Sequence, residues 1–585
     1  MASSQSPVLH ERPAAQALGA WLVRVMGQDF FLFALAIVVG LGAGLGAVGF
    51  RWLIEVLSDL FLVRLAGLLG HTWLLPVVPA LGGLLVAFLV LRWAPEAKGH
   101  GVPEVMAAVA TQGGRIRPRV AVVKAFASAI CIGSGGSVGR EGPIVQIGSA
   151  LGSIIGQIFA LGPQRMRILV GCGAAAGISA TFNAPLAGVV FSLEVILGDF
   201  SIAAFSPIII SSVLATALAR TLEGNVAAFT VPHYQTLSPY ELALYAALGV
   251  MAAFFAAAFT RLLYWSEDRF DGVAISEYAK PVIGGAMVGI IGLGLPQVFG
   301  VGYGTITATL LNENDIALLG VLLVGKVAAT CLTLGSGGSG GVFAPSLFIG
   351  AMLGGLFGNA VEYLVPGLVH PGAFALVGMA AMVAGTTHAP LTAMLILFEM
   401  TDDYKLILPL MLTTTISTLV SKWVSKESIY TLKLSRRGLR LAHGIDVSLL
   451  ESLRVSDVVT SDYDSVRPSA TLSDIVHLLQ TSNSNDFPVV NVEGHILGMI
   501  NFDDIRTVIA DRDLAQLVIA ADAMNGDPPI IEASASLRAA QQLLTERDVE
   551  TLPVVSGKDQ VLVGLLKRAD LMSHYHNELQ RRAGL

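Results

Sequence analysis

The sequence predicts a membrane all-α domain built from two repeated halves with broken helices, followed by a C-terminal α/β domain that is itself a tandem repeat. Three observations predict this. Strongly apolar sequence is confined to residues 29–434, a glycine-rich string occurs twice about 200 residues apart, and a helix-then-strands pattern occurs twice after residue 455.

The chain has 585 residues, of which 54% are hydrophobic and 14% charged, with a mean hydropathy of +0.69. That charge is too little to cover the surface of a soluble protein of this size. The net charge of −7 is spread along the chain and points to no nucleic-acid partner. Cys131, Cys172 and Cys331 lie in apolar stretches without a CxxC pair, as small packing residues do. Residues 1–28 contain Arg12 and Arg24 but no short apolar core with a cleavage site, so they are expected to form a cytoplasmic segment.

Apolar stretches begin with Phe30–Phe50 and Trp73–Trp93. They continue over 120–133, 144–161, 168–197, 202–219, 240–262, 281–299, 316–333, 342–364, 373–399 and 406–424. A spanning helix needs about 20 apolar residues. Several stretches reach that length; others are shorter, glycine-rich or broken by proline, as at Gly99–Pro103, Gly133–Pro143, Asn183–Pro185 and Gly335–Pro345. Irregular backbone at membrane depth is tolerated where protein or a watery cavity satisfies it, and such breaks in matching places mark a transport site.

The matching places are legible. Residues 133–156, GSGGSVGREGPIVQIGSALGSIIG, align without gaps to 335–358, GSGGSGGVFAPSLFIGAMLGGLFG, with 12 of 24 positions identical. Glycine bias alone would not also pair Pro143 with Pro345, Ile147 with Ile349 and Leu151 with Leu353. FNAPLAGVVFSLE (182–194) and THAPLTAMLILFE (387–399) form a second pair. The Gly-x3-Gly-x3-Gly spacings at 148–156 and 350–358 permit close helix packing. Parallel and inverted repeats both fit the sequence.

After residue 455 the strands FPVVNV and LGMI are repeated as LPVV and VGLL. Each pair follows an amphipathic helix that opens with a capping residue, Thr471 or Ser536. A positive stretch, Lys426, Lys433, Arg436, Arg437 and Arg440, joins this part to the apolar part, which makes that junction cytoplasmic by the positive-inside rule.

Three loops carry the candidate chemistry: Gly99-His100-Gly101-Val102-Pro103-Glu104, Gly139-Arg140-Glu141-Gly142-Pro143 and Gly341-Val342-Phe343-Ala344-Pro345. Each has the form of a loop feeding a helix N-terminus, where unpaired N–H groups and a partial positive charge collect. Several such termini aimed at one point would bind an anion without a full buried cation, which would hold the ion too tightly to release it.

In this order, these loops resemble the signatures of the CLC family of chloride channels and chloride/proton antiporters: GSGIP, GREGP or GKEGP, and GxFxP. The resemblance runs from about residue 30 to 434, and the C-terminal repeat resembles a tandem CBS-domain pair. It implies inverted repeats, a homodimer with one pore per subunit, membrane lipid around it, a multi-pass protein of the plasma (cell inner) membrane with both termini cytoplasmic, and chloride or a similar anion as transported ligand. No cofactor is required. By the same resemblance, Glu141 is the gating glutamate, its carboxylate occupying an anion site until protonated or displaced. An intramembrane acid is independently a functional candidate; the alternative is a loop glutamate paired with Arg140. Gly99, His100, Gly101, Val102, Pro103, Gly139, Arg140, Gly142, Pro143, Val342, Phe343 and Ala344 fall on the anion-binding loops. Tyr430 matches the tyrosine whose hydroxyl reaches the central ion, although a tyrosine at a membrane edge also serves as an interface anchor.

Two departures from the family pattern bear on mechanism. His100 stands where GSGIP has serine; either its imidazole takes part in the site or only its backbone does. In many exchangers the helix after NAPLAG ends in two acids, the second carrying the internal proton. Here Glu194 takes the first place and Val195 the second, and valine carries no proton. That resembles the channel branch, so passive chloride conduction through a voltage-gated-type channel is the expectation, with chloride/proton antiport the alternative and a non-transporting sensor or scaffold a distant one. Glu194 and Glu399 read as helix-end structural acids. In the CBS-like pair, Asp504 and Asp570 keep the ribose-binding positions of the family, but Asn501 and Lys567 replace the hydroxyl residues. An adenosine nucleotide is therefore one reading, and solvated helix caps with a structural or dimerising module the other.

The G-x-S-x-G string at Gly337–Gly341 lacks the strand and triad partners of a hydrolase, and GxxxxGK[ST] is absent. No catalytic or metal site is expected, since His100 and His388 lack partners at ligand spacing. The expected division is 1–28 N-terminal segment, 29–434 anion-conducting membrane domain, 435–450 linker, 451–512 first CBS-like repeat and 513–585 second.

Overall fold

The structure is a computed structural model. It describes residues 24, 27–69, 72–224, 229, 231–232, 240–401, 403–439, 441–442, 445–482, 484, 486–501, 518–557 and 561–582. The chain divides into two compact units, Met1–Arg437 and Gly438–Leu585.

Among the described residues, the elements of the first unit are all helices. Its first half contains α1 (Gln28–Ser58), α2 (Val77–Trp93), α3 (Val102–Thr111), α4 (Pro118–Gly133), α5 (Glu141–Ile158), α6 (Pro163–Phe182), α7 (Pro185–Phe191) and α8 (Ile202–Glu223). The second half repeats the order as α9 (Glu241–Gly272), α10 (Ala279–Gly294), α11 (Tyr303–Leu310), α12 (Ile316–Gly335), α13 (Phe343–Leu364), α14 (Pro371–Thr387), α15 (Pro390–Thr401) and α16 (Ile407–Val424). A short helix, α17 (Thr431–Arg436), closes the unit.

Among the described residues, six helical stretches are long and apolar enough to cross a membrane: Asp29–Leu68, Ile202–Glu223, Glu241–Gly272, Ile316–Gly335, Phe343–Leu364 and Tyr404–Val424. The other apolar helices are shorter. The apolar stretches 168–197 and 373–399 are each split, the first at the break expected from Asn183–Pro185. Asn183 and His388 both adopt left-handed backbone with φ of 58°, and Pro185 and Pro390 then start new helices, so α6 is separated from α7 and α14 from α15.

The halves are related by an approximate two-fold, and the contacts that prove it are reciprocal. The carboxylate of Glu399, on α15, accepts from the N–H groups of Leu186 and Ala187 at the start of α7 (2.9 and 2.7 Å). The carboxylate of Glu194 accepts from Leu391 and Thr392 at the start of α15 (3.3 and 2.8 Å). Each acid therefore caps the short helix of the opposite half, satisfying donors that a helix cannot satisfy itself. Gly139 and Gly341 meet as an antiparallel pair, N–H to carbonyl in both directions (2.7 and 2.6 Å). Equivalent segments thus run in opposite directions where the axis passes, and the repeat is inverted.

The second unit carries the two helix-and-strand repeats. In the first, α19 (Leu472–Thr481) precedes the antiparallel strands β3 (Asp486–Val490) and β4 (Ile496–Asn501). In the second, β5 (Ile531–Glu532) pairs parallel with β6 (Thr551–Ser556), which pairs antiparallel with β7 (Val561–Lys567). There α21 (Leu537–Glu546) lies between β5 and β6, and α22 (Arg568–Arg582) follows β7. The remaining elements here are β1 (Leu441–Ala442), β2 (Ile445–Asp446), α18 (Val447–Ser452) and α20 (Ala520–Ala523). Both repeats carry a register shift in the same place, between Val489 and Val490 and between Val554 and Val555. The caps sit as expected: Thr471 Oγ1 accepts from Asp474 N–H, and Ser536 Oγ from Ala539 N–H. The Thr471 hydroxyl in turn donates to the Asp474 carboxylate at 2.7 Å, which holds that carboxyl below its usual range.

Candidate anion-binding site

The three glycine-rich loops meet. Gly99 N–H donates to the Gly338 carbonyl (3.1 Å) and Gly340 N–H to the Gly99 carbonyl (3.3 Å), tying the Gly99–Pro103 loop to the stretch leading into α13. The Gly139–Gly341 pair ties that stretch to the entry of α5. Glycine at 142 is what lets the loops close: a Cβ there would overlap the carbonyl oxygen of His100 and lie 3.1 Å from the Cα of Gly341. Gly99 and Gly101 have φ of 78° and 86°, a region that favours glycine. Val102, Glu141 and Phe343 are the first residues of α3, α5 and α13, with Pro103, Pro143 and Pro345 just inside the helices. The first N–H groups of these helices have no acceptor within their own helix, and the helix dipoles place partial positive charge at their starts.

Glu141 is 1% exposed. Its Oε1 accepts a 2.6 Å hydrogen bond from the Tyr303 hydroxyl. Its Oε2 is buried with no hydrogen-bond partner and is folded back over Gly139; a Cβ on that glycine would overlap it and lie 3.1 Å from the backbone nitrogen of Ala344. The carboxylate therefore sits among the entries of α5 and α13. Arg140 does not pair with it. Its guanidinium lies 5.1 Å from the centroid of the Tyr303 ring, and its Nε is buried without a partner.

The remaining candidates lie in the same interior. Phe343 is buried with its ring 5.5 Å from that of Phe182, and Val342 and Ala344 are buried beside it. Tyr430 precedes α17 and is 2% exposed, so it is packed in the interior and not at an exposed membrane edge. His100 is 3% exposed, edge-on to Tyr264 at 6.1 Å, and its Nδ1 has no hydrogen-bond partner. Its ring is thus inside the protein, while its carbonyl forms the contact at Gly142. Val195 is buried in the wide turn Ser192–Leu197 beside Glu194. In the second unit Asp570 opens α22, half-buried; Asp504 lies outside the described residues.

The sequence reading missed three residues. Lys124, on α4, is fully buried and donates to the carbonyls of Ala97 and Gly99 (3.0 and 2.6 Å), where Ser339 Oγ also reaches Ala97. Lys326, its mate on α12, donates to Val298 and Gly300 (3.0 and 2.8 Å). Each ammonium holds the carbonyl of the first glycine of a G-x-G loop and that of the residue two before it. A lone lysine at the same place in two apolar stretches was the available signal. Tyr303 follows the second G-x-G loop, Gly300-Val301-Gly302, and no signature marks it.

Of the positive stretch after α16, Lys426 is exposed, while Lys433, Arg436 and Arg437 are paired with acids. Lys433 pairs with Glu267 (3.7 Å), Arg436 bidentately with Asp268 (2.7 and 2.8 Å), and Arg437 with Glu104 (2.8 Å). With Lys98 they line a cavity of about 310 Å³ beside Tyr264. Arg440 lies outside the described residues.

A two-fold inverted helical repeat, with helix N-termini and one buried carboxylate at its centre, defines a multi-pass membrane protein of the anion-transport class. Residues 82–422 match the family described as "Voltage gated chloride channel", and residues 455–511 and 520–577 each match the CBS domain. The chain belongs to this CLC family. It is 34% identical over 419 residues to a putative chloride channel protein ClcB-like of Ralstonia nicotianae, covering 69% of this chain and 97% of that one. It is 36% identical over 423 residues to the H(+)/Cl(-) exchange transporter ClcA of Vibrio parahaemolyticus, covering 70% and 90%. Among solved structures, a slow cyanobacterial Cl-/H+ antiporter matches with a TM-score of 0.64 at 28% identity, over 69% of this chain and 97% of the other. A eukaryotic CLC transporter shares the fold over 92% of this chain and 97% of its own, with a TM-score of 0.64 at 22% identity.

Proposed function

We propose that this protein exchanges chloride for protons across the membrane, with Glu141 as the group that both blocks the anion path and carries the proton. The observation that carries this reading is the placement of Glu141. Its carboxylate occupies the cradle formed by the entries of α5 and α13, with one oxygen held by Tyr303 and the other unpartnered. An ionised carboxylate there competes with chloride for the same partial positive charge, and a protonated one does not. Anion occupancy and protonation are then linked at a single group. His100, Phe343 and Tyr430 line the path on either side, and the dimer carries one path per subunit in a plasma (cell inner) membrane with both termini in the cytoplasm.

Passive chloride conduction is the second reading, and Val195 favours it, because the position where many exchangers carry an internal proton acid is apolar here. Relatives named as exchangers weigh towards the first reading. The deciding experiment reconstitutes the purified protein in liposomes and imposes a chloride gradient. Exchange predicts uphill proton movement in fixed ratio to chloride, lost in Glu141→Gln while chloride flow persists. Chloride flow from the wild-type protein without proton movement overturns exchange and leaves the channel.

A further inference from the structure

The geometry points to Tyr303 as a positioning residue for the gate: its hydroxyl holds the Glu141 carboxylate in the blocking position and so sets the pH at which the path opens. This rests on Glu141 being the gate, and it adds a residue that none of the signature loops contains.

The inverted repeat explains how a tyrosine comes to be there. Gly99-His100-Gly101 enters α3 in the first half, and Gly300-Val301-Gly302 enters α11 in the second. Both loops have positive φ at both glycines, and in both a buried lysine donates to the carbonyls of the first glycine and of the residue two before it. The first residue of α3 is Val102; the first residue of α11 is Tyr303. The second loop therefore delivers a hydroxyl where its mate delivers an apolar side chain, and the hydroxyl reaches 2.6 Å from Glu141 Oε1, 162 residues away in sequence. The ring is fixed on two sides. Arg140 lies over one face, 5.1 Å from the centroid, and the Phe229 ring packs at 6.1 Å. Gly302 cannot carry a side chain, since a Cβ there would lie 2.7 Å from the Phe348 ring.

A phenol O–H is a donor to an ionised carboxylate and stabilises that form. The groups that act on Glu141 or its phenol partner are Tyr303 on α11, Lys326 on α12, Tyr430 before α17, Arg140 at the start of α5 itself and Arg51 on α1. Of these, Tyr303 makes the hydrogen bond to the carboxylate; Lys326 is committed to the carbonyls of Val298 and Gly300 and stands over the Phe348 ring. Removing the phenol oxygen withdraws a donor from the charged form alone, so the carboxylate takes up its proton more readily and the path opens at higher pH.

The test compares chloride flux against pH in proteoliposomes for wild type, Tyr303→Phe, Glu141→Gln and the double variant. Loss of one hydrogen bond to a charged group corresponds to about one pH unit. The expected result is a flux midpoint displaced upward by about one unit in Tyr303→Phe, and no further change when Tyr303→Phe is added to Glu141→Gln. A midpoint that does not move, or an equal displacement in the Glu141→Gln background, overturns the assignment. If Glu141→Gln itself leaves the pH profile unaltered, the gate reading is the one that fails. A second arm places 3-fluorotyrosine at position 303, keeping ring and hydroxyl but strengthening the donor. A downward displacement supports the role, and none overturns it, whether or not the phenylalanine variant folds.

Discussion

The loop that opens α5 and the loop that opens α13 follow the same backbone path and carry different chemistry. Gly139 and Gly341 bond to each other across the two-fold, and each is followed by a bend into a helix with proline in its first turn. At the first helical position one half has Glu141 and the other Phe343; at the second, one has Gly142 and the other Ala344. The G-x-G loops differ in the same manner, with His100 and Val102 in one half and Val301 and Tyr303 in the other. Backbone N–H groups come from both halves, whereas the titratable carboxylate and its hydroxyl partner come one from each. A duplicated scaffold thus brings near-symmetric helix entries together, which on the proposed reading form the anion cradle, and places one titratable carboxylate, the proposed gate, among them; the asymmetry lies in a few side chains at equivalent places.

The largest effect should come from making the halves alike where they cannot be. Gly142→Ala puts a methyl group against the His100 carbonyl, with no flexible neighbour to yield, at a cost of about 1–3 kcal/mol or more in a packed interior. Chloride flux should fall more than tenfold and thermal stability should drop. Ala344→Gly, the reciprocal change, should cost about 1 kcal/mol through backbone freedom and keep most of the flux. Similar losses from the two changes would mean that the loops are not packed as asymmetrically as described.

A smaller and more discriminating effect concerns the paired lysines. Lys326→Met withdraws the lysine donor from the Val298 and Gly300 carbonyls, whereas in Lys124→Met the Ala97 and Gly99 carbonyls keep Ser339 Oγ and Gly340 N–H; each change should lower stability by a few kcal/mol at most. Their functional signatures should differ. Lys124→Met loosens the loop bearing His100 and should change the chloride dependence of flux; Lys326→Met loosens the loop bearing Tyr303 and should change its pH dependence. Identical signatures would break the division of labour between the halves.

Much of this fold was legible in the sequence, because it rests on glycine and proline at matched positions. GSGG with its downstream proline marked α5 and α13 as partners, Asn183–Pro185 marked the break before α7, and the match of NAPL to HAPL paired α7 with α15. The crosswise capping by Glu194 and Glu399 was not legible: the repeat showed that the two acids correspond, but their bonds run to the opposite half. Tyr303 was hidden for a related reason. Its loop matches Gly99–Gly101 only in two glycines, with valine for histidine and no proline at the position of Pro103, so the correspondence emerges only once the buried lysines are seen holding equivalent carbonyls. The site is assembled from contacts distant in sequence, and only those on repeated strings left a local mark.

The most direct measurement is anomalous diffraction from bromide-soaked crystals of Glu141→Ala beside wild type. The account predicts a bromide peak in the variant where the Glu141 carboxylate lies in wild type, within hydrogen-bond distance of backbone N–H groups at the entries of α5 and α13. No bromide in that space, or bromide there with the Glu141 carboxylate also in place, would contradict it.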